Sequence, residues 1–322
     1  MANDYIYAVA RVRSHELTLL NRAFMEQLLQ SVSEGEALRL LQERGWGAAG
    51  MDGAQTLEAE REKTWALVSE LCGEESGLLD LFLYENDYHN LKAAVKETCT
   101  AGEHPGIYAK RGTVSGEALE RALAARDFEA VPERLRETAR EALDVLLQTR
   151  DGQRCDCIVD RAALTAIRQA GRDSGSALLA RYGELTAAAG DIRIAARGAR
   201  TGKQLAFLQA ALAPCDSFDV QALAQAAAEG EDALADFLRH TPYGEAAEAL
   251  KASGAAFERY CDDVVIRMIR PQLFNSFGPD PLAAYLLARE TEIKSVRMIL
   301  TGLRVGLSPE QIRGRVRETY VV

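Results

Sequence analysis

The feature that most constrains this chain is a ten-residue segment that occurs four times, each copy beginning with an acidic residue. The copies are DYIYAVARVR from Asp4, DYHNLKAAVK from Asp87, DIRIAARGAR from Asp191 and EIKSVRMILT from Glu292. Successive first residues are 83, 104 and 101 positions apart, and each copy is followed by a second segment that the copies also share. Repeats of this kind indicate helical units that bury each other's apolar faces.

The repeat predicts how the chain is divided. We expect helical units at residues 1–86, 87–190 and 191–291, and a truncated fourth copy at 292–322 that packs back on the array. Ala, Leu, Glu and Arg dominate the composition and aromatic residues make up only 7%, which favours helices because such side chains lose little rotamer freedom there. The sequence therefore predicts an all-α fold in a funnel- or ring-like arrangement.

The C-terminal stretch carries the clearest local helix signals. Five apolar residues recur there at steps of three and four, which places them on one helix face: Ile293, Val296, Ile299, Leu300 and Leu303. Further on, Ser308 is followed three residues later by Gln311, which is the spacing of a capping box. We expect a long amphipathic helix, a short break and a final capped helix.

Bulk charge and composition exclude several classes of function. The formal net charge is −10, which argues against broad binding to nucleic acid. No apolar run approaches the roughly 18 residues that would span a bilayer, and the first residues lack the pattern of a secretory signal. We expect a soluble intracellular protein with reduced cysteines. Cys155 and Cys157 are the only close pair, and a zinc site would need a second pair or nearby histidines.

The sequence contains no constellation typical of an enzyme. The nearest approach to a phosphate-binding loop is Gly198–Gln204, where three residues rather than four separate the glycines and Gln204 replaces the Ser or Thr that would meet magnesium. Adjacent carboxylates such as Asp262 and Asp263 are more typical of helix surfaces or caps than of acid–base pairs. We predict no catalytic residue, no metal site, no cofactor and no direct nucleotide binding.

Basic side chains on the repeated helices are the candidate binding residues. One interpretation is that they form the solvated faces of amphipathic helices; the other is that an acidic protein concentrates positive charge where an acidic partner docks. The candidates are Lys92, Lys96, Arg193, Arg197, Arg200, Lys294 and Arg297.

Three stretches resemble one protein family. AYLLARETEIKSVRMILTGLRVGLSPEQIRGRVR, YENDYHNLKAAVK at Tyr84–Lys96 and YAVARVR at Tyr7–Arg13 are similar to the subunit of V/A-type rotary ATPases that is called C in prokaryotes and d in eukaryotic vacuolar enzymes. Length, helical patterning and internal copies agree over essentially the whole chain. The third copy departs from the family pattern, because Ile194 stands where the family often has asparagine, as Asn90 does in the second copy.

The resemblance implies a three-lobed, funnel-like protein without catalytic residues. Its expected place is the cytoplasmic face of the membrane, as a peripheral subunit on the proteolipid ring that receives the central-stalk subunits. There it would transmit torque between ATP turnover and the transport of protons or sodium ions. Two other classes of function remain open from the residues alone. One is a helical-repeat adaptor of an unrelated assembly, and the other is an all-α enzyme with converging titratable groups.

Overall fold

The computed structural model describes residues 5–99 and 106–321, and over these residues every regular element is a helix. The all-α class predicted from composition and periodicity is therefore confirmed. In chain order the α-helices are α1 (Ile6–Glu16), α2 (Arg22–Leu29), α3 (Glu34–Glu43), α4 (Gly53–Cys72), α5 (Tyr84–Cys99), α6 (Gly116–Ala124), α7 (Glu133–Thr149), α8 (Gly152–Asp173), α9 (Ala177–Arg200), α10 (Leu205–Ala211), α11 (Val220–Glu229), α12 (Glu231–Arg239), α13 (Gly244–Ala252), α14 (Gly254–Ile269), α15 (Asp280–Arg304) and α16 (Pro309–Arg313). 3₁₀ helices cover Gly73–Phe82, Phe128–Ala130 and Arg270–Phe274.

The chain forms two compact units. The first joins both ends of the sequence, Met1–Ser76 and Glu248–Val322, and the second is Gly77–Ala247. The acidic residues that begin the last three sequence copies lie within α5, α9 and α15, and Asp87 is in the first turn of α5. The first such residue, Asp4, lies outside the described residues. The division into repeated copies and the funnel-like arrangement remain predictions.

In the first unit, the helices of the N-terminal stretch pack around α15. This helix contacts α1, α3, α4, α14 and α16, and its predicted apolar face is buried at Ile293, Val296, Ile299 and Leu300. The capping box predicted at the start of α16 is confirmed, because the Ser308 side chain accepts the Gln311 amide and the Gln311 side chain accepts the Ser308 amide. The two ends of the sequence thus share one hydrophobic core.

A buried group of charges lies in that core. Arg289 is 1% exposed and lies between Glu60 of α4 and Glu292 of α15, which are 2% and 3% exposed. Its guanidinium donates to Oε2 of Glu292 at 2.9 Å and to the Thr18 hydroxyl at 2.9 Å, and Nε lies 3.5 Å from Oε1 of Glu60. Oε1 of Glu292 accepts the Leu20 amide at 2.6 Å. The group therefore ties α15 to the loop between α1 and α2.

The second unit is built on α8, a 22-residue helix that contacts α5, α7, α9 and α10. Apolar residues of α5, α6, α7 and α8 form one hydrophobic core, which includes Leu91, Leu123, Leu143 and Val159. On its other side α8 pairs with α9 through a short connection in which Gly175 has a φ of +71°. This conformation is one that glycine adopts without steric cost.

The pairing of α8 with α9 depends on close backbone approach at Gly171. A Cβ atom at this position would lie 2.4 Å from the carbonyl oxygen of Leu179. We expect Gly171→Ala to lower the free energy of unfolding by about 2 kcal/mol, because overpacking against rigid backbone outweighs the gain in helix propensity. Urea unfolding followed by circular dichroism measures this loss.

Gly152 supplies the matched control for that substitution. It lies in the first turn of the same helix, and a Cβ atom there would meet nothing within 4 Å. We expect Gly152→Ala to change the free energy of unfolding by less than about 0.5 kcal/mol. Equal losses in the two variants would contradict the close approach at Gly171.

Candidate partner-binding surface

Three of the predicted basic residues form a stripe along the exposed face of α9. Arg193, Arg197 and Arg200 are separated by four and three positions, which places them on one helix face, and all three are exposed. The opposite face of the helix is buried through Ile192 and Ala195. Arg200 forms a 3.1 Å ion pair with Glu231 at the start of α12. The structure thus brings these three cations together.

The two predicted lysines of α5 belong to the same unit but are ion-paired within it. Lys92 pairs with Asp160, and Lys96 lies 2.6 Å from Asp156. Both aspartates come from α8, so the pairs connect two packed helices. Part of the positive charge that the sequence suggested for docking is therefore balanced inside the unit.

The two predicted residues of α15 are Lys294, which has an ion-pair partner on α14, and Arg297. Lys294 is 2.6 Å from Asp262 of α14, and this carboxylate also accepts a 2.9 Å hydrogen bond from Arg317. Arg297 is exposed. These residues belong to the first unit, whereas the arginine stripe of α9 belongs to the second.

The acidic residues at the start of the last three repeated segments are buried, which the sequence did not suggest. Asp87 and Asp191 are fully buried and Glu292 nearly so. Each accepts a hydrogen bond from a backbone amide in another segment: Thr113 to Asp87, Ala213 to Asp191 and Leu20 to Glu292. The sequence signal that could have found this role is their position within otherwise apolar helix faces.

Exposed apolar side chains form a second feature that sequence reasoning missed. Phe274 and Phe277 are 88% and 70% exposed; Phe274 ends the last 3₁₀ helix, and Phe277 lies in the loop between that helix and α15. Arg13 of α1 donates to the backbone carbonyls of Gln272 and Asn275 at 2.6 and 2.5 Å, which fixes this loop. Two phenylalanines among Asn, Ser, Gly and Pro were the available signal, because such loop residues lack the periodicity that would place them in a core.

The segment that resembles a phosphate-binding loop has the wrong helical context. Gly198 lies in the last turn of α9, and Gly202 with φ +63° follows the helix end. Phosphate loops use the amide groups of a helix N-terminus, whereas a helix C-terminus presents carbonyl oxygens and a partial negative charge. A Cβ atom at Gly198 would lie 2.5 Å from the Leu208 side chain. Helix packing thus accounts for this glycine.

Other chemistry has no geometric support among the described residues. Over 5–99 and 106–321, no three His, Cys, Asp or Glu side chains are grouped so that they could hold a metal ion. Cys155 is buried in the core of the second unit, and desolvation raises the pKa of its thiol to about 11. A thiol of this kind is a poor nucleophile at neutral pH. In the part of the chain that the structure describes, we find no helix with the length and hydropathy of a membrane span.

Comparison with known proteins covers nearly the whole chain. A family model described as ATP synthase (C/AC39) subunit matches residues 8–315. The C subunit of the V-type sodium ATPase of Enterococcus hirae is 26% identical over 322 residues, covering 96% of this chain and 97% of that protein. The C subunit of a V-type ATP synthase of Thermus thermophilus is 26% identical over 330 residues, covering 98% and 99% of the two chains. The chain therefore belongs to the C/AC39 family, a non-catalytic subunit of V-type ATPases.

Proposed function

We propose that this chain is the central-rotor subunit that links the stalk of a V/A-type ATPase to the membrane proteolipid ring. In this role it lies on the cytoplasmic face of the membrane and transmits torque between ATP turnover and the transport of protons or sodium ions. The family match along the chain carries the proposal. The same match sets aside the helical-repeat adaptor of an unrelated assembly, since it assigns the chain to a V-type ATPase.

The described geometry supports a mechanical rather than a chemical role. Long helices pack through apolar cores in each unit, and hydrogen bonds within the core hold the buried Arg289 and Glu292. Closely packed protein cores have low compressibility, so they transmit strain with little deformation. A subunit that transmits torque between two partners needs such low compressibility.

The proposed role has a direct experimental test. We expect ATP-driven ion transport to be lost from reconstituted complexes that lack this chain, whereas ATP hydrolysis by the detached head persists. The measurement is ion uptake by vesicles alongside ATPase rate, with the complete complex as reference. Full ion transport in the absence of the chain would refute the proposal.

The arginine stripe of α9 is the proposed docking surface for an acidic partner subunit. Arg193→Glu combined with Arg197→Glu changes the local charge by −4, which should weaken partner binding roughly tenfold or more through lost complementarity and like-charge repulsion. Both side chains are exposed, so the circular dichroism spectrum and the melting temperature should stay near those of the parent chain. Pull-down of stalk and ring subunits, with titration of the affinity, measures the effect.

Arg154 and Arg181 give a control with the same change in charge. Both are exposed and lie in the same unit, Arg154 at the start of α8 and Arg181 near the start of α9, away from the stripe. We expect Arg154→Glu with Arg181→Glu to retain most of the binding. Equal weakening in the two double variants would show that net charge, and not the stripe, determines docking.

A further inference from the structure

Two carboxylates of α9 hold the segment that connects α10 to α11. Glu184 and Asp191 are seven positions apart, which places them two turns apart on one face of the helix. Glu184 accepts from the Ser217 amide at 2.8 Å and Asp191 accepts from the Ala213 amide at 2.8 Å. The segment 212–217 is therefore attached to α9 at both of its ends.

The Glu184 end of the segment is fully satisfied. Oε1 accepts the Ser217 hydroxyl at 2.7 Å and the Cys215 thiol at 3.0 Å in addition to backbone amides, and Oε2 accepts Nε of Arg168 at 2.7 Å. Burial would raise the pKa of Glu184, but the hydrogen bonds from Ser217, Cys215 and Arg168 outweigh it and hold the pKa below its ordinary value. This carboxylate stays charged at physiological pH.

The Asp191 end is different, because the carboxyl group is fully buried and half-satisfied. Oδ1 accepts the Ala213 amide, but among the described residues no donor reaches Oδ2. In the corresponding positions of α5 and α15, each carboxylate is bonded through both oxygens and has an arginine partner: Arg134 for Asp87 and Arg289 for Glu292. A buried carboxylate without such a partner is costly to keep charged.

We propose that Asp191 is a proton-operated catch: with a proton on its carboxyl group it stays buried and holds the Ala213 end of segment 212–217 against α9, and loss of the proton releases that end. The proton sits on Oδ2, the oxygen that lacks a donor, and leaves Oδ1 to accept the amide. Loss of the proton leaves an unpaired charge in the interior, which gains hydration when the segment opens. The Glu184 end remains attached throughout.

The charged surroundings of Asp191 agree with this behaviour. Desolvation by burial raises its pKa to about 7 from an ordinary 3.8, while the Ala213 amide and Arg161 of α8 act in the opposite direction and Glu184 adds to the rise. Arg161 is exposed and donates to the Ala210 carbonyl at 3.3 Å, so it does not neutralise the buried group. α10 carries no ionisable side chain, and those of α11 and α12 are Glu229, Glu231, Asp232, Asp236 and Arg239.

The direction of the pH effect follows from this raised pKa. Between about pH 4 and pH 7 the closed form binds more protons than the open form, in which Asp191 is hydrated and titrates near its ordinary value. Closing is therefore most favourable at acidic pH and weakens across this window, up to the raised pKa of about 7. Above that pH the equilibrium between the closed and open forms no longer changes with pH.

Hydrogen exchange of two backbone amides in the full-length chain tests the catch. After correction for intrinsic exchange rates, the protection of the Ala213 amide should fall roughly tenfold or more between pH 5 and pH 8. The protection of the Ser217 amide, which Glu184 accepts, should stay constant over the same range. Parallel changes at the two amides would overturn the proposal, and this comparison needs no variant.

Asp191→Asn provides the complementary measurement, because it keeps the acceptor for Ala213 and cannot ionise. We expect the protection of the Ala213 amide in this variant to be independent of pH, and at pH 8 to exceed that of the parent chain. A decrease with pH of the same size as in the parent chain would assign the effect to another group and overturn the proposal.

Discussion

Replacing Arg289 by methionine should lower the free energy of unfolding by about 3–5 kcal/mol at pH 9. The substitution retains much of the side-chain volume but removes the cation between Glu60 and Glu292, together with the hydrogen bond to the Thr18 hydroxyl. Glu60 keeps a 3.6 Å contact with Lys63, whereas among the described residues Glu292 retains only the Leu20 amide. Removing one member of a buried ion group leaves a charge without compensation, which costs more than the pair contributes when intact.

The loss from Arg289→Met should grow with pH. Desolvation by burial raises the pKa of Glu292 to about 8 even though Arg289 lowers it, so removing Arg289 raises this pKa further. Because a proton on Glu292 is easier to retain at pH 6 than at pH 9, the difference between the two proteins is smaller at pH 6. At pH 9 the charge on Glu292 is compensated by Arg289 in the parent chain. In the variant, Glu292 must either be buried as an uncompensated charge or take up a proton at a pH where protonation is unfavourable.

Urea unfolding at pH 6 and pH 9, followed by circular dichroism, measures both effects. Arg39→Met is the matched control, because Arg39 forms an exposed i,i+4 pair with Glu43 and such pairs contribute well under about 1 kcal/mol. Adding Glu292→Gln to Arg289→Met should recover part of the loss at pH 9. An equal shift of the urea midpoint in Arg39→Met and Arg289→Met would contradict the assigned role of the buried group.

The helices could be predicted from the sequence because their signals are local. Ile293, Val296 and Ile299 reveal the buried face of α15 through spacing alone, and Ser308 with Gln311 specifies a cap within four residues. Helical hydrogen bonds and caps join residues only a few positions apart, so a short stretch of sequence includes both partners of almost every such interaction. The same reasoning gave the all-α class.

The candidate docking residues could be only partly predicted, because pairing of surface charges depends on which helices pack together. Lys92 pairs with Asp160, 68 positions away, and Lys294 with Asp262, 32 positions away. The burial of Glu292 depends on still more distant contacts, since its amide donor Leu20 is 272 positions away. Charged residues are seldom fully buried. The sequence by itself therefore identified Glu292 as the first residue of a repeated segment and did not predict that it forms a buried ion pair.

Asp87→Ala should lower the free energy of unfolding by about 3 kcal/mol. The fully buried Asp87 carboxylate accepts the Thr113 amide and hydroxyl, each at 2.8 Å, and pairs with Arg134. It also accepts the Val114 amide at 3.3 Å, directly before the residue that caps α6. Its removal leaves these donors without an acceptor in the interior, and that penalty exceeds the net contribution of ordinary hydrogen bonds.

Two further variants distinguish the loss of stability caused by breaking the buried hydrogen-bond network from the loss caused by removing any carboxylate. Asp160→Ala removes the exposed partner of Lys92 in the same unit, and should cost less than about 1 kcal/mol. Asp87→Asn keeps the shape and one acceptor oxygen, so its loss should lie between those of the other two. Thermal and urea unfolding of the three variants gives the order, and a cost for Asp87→Ala no greater than that for Asp160→Ala would contradict it. Because the carboxylate fixes the segment that leads into α6, the exchange of the Thr113 and Val114 amides should accelerate in Asp87→Ala and stay slow in Asp160→Ala.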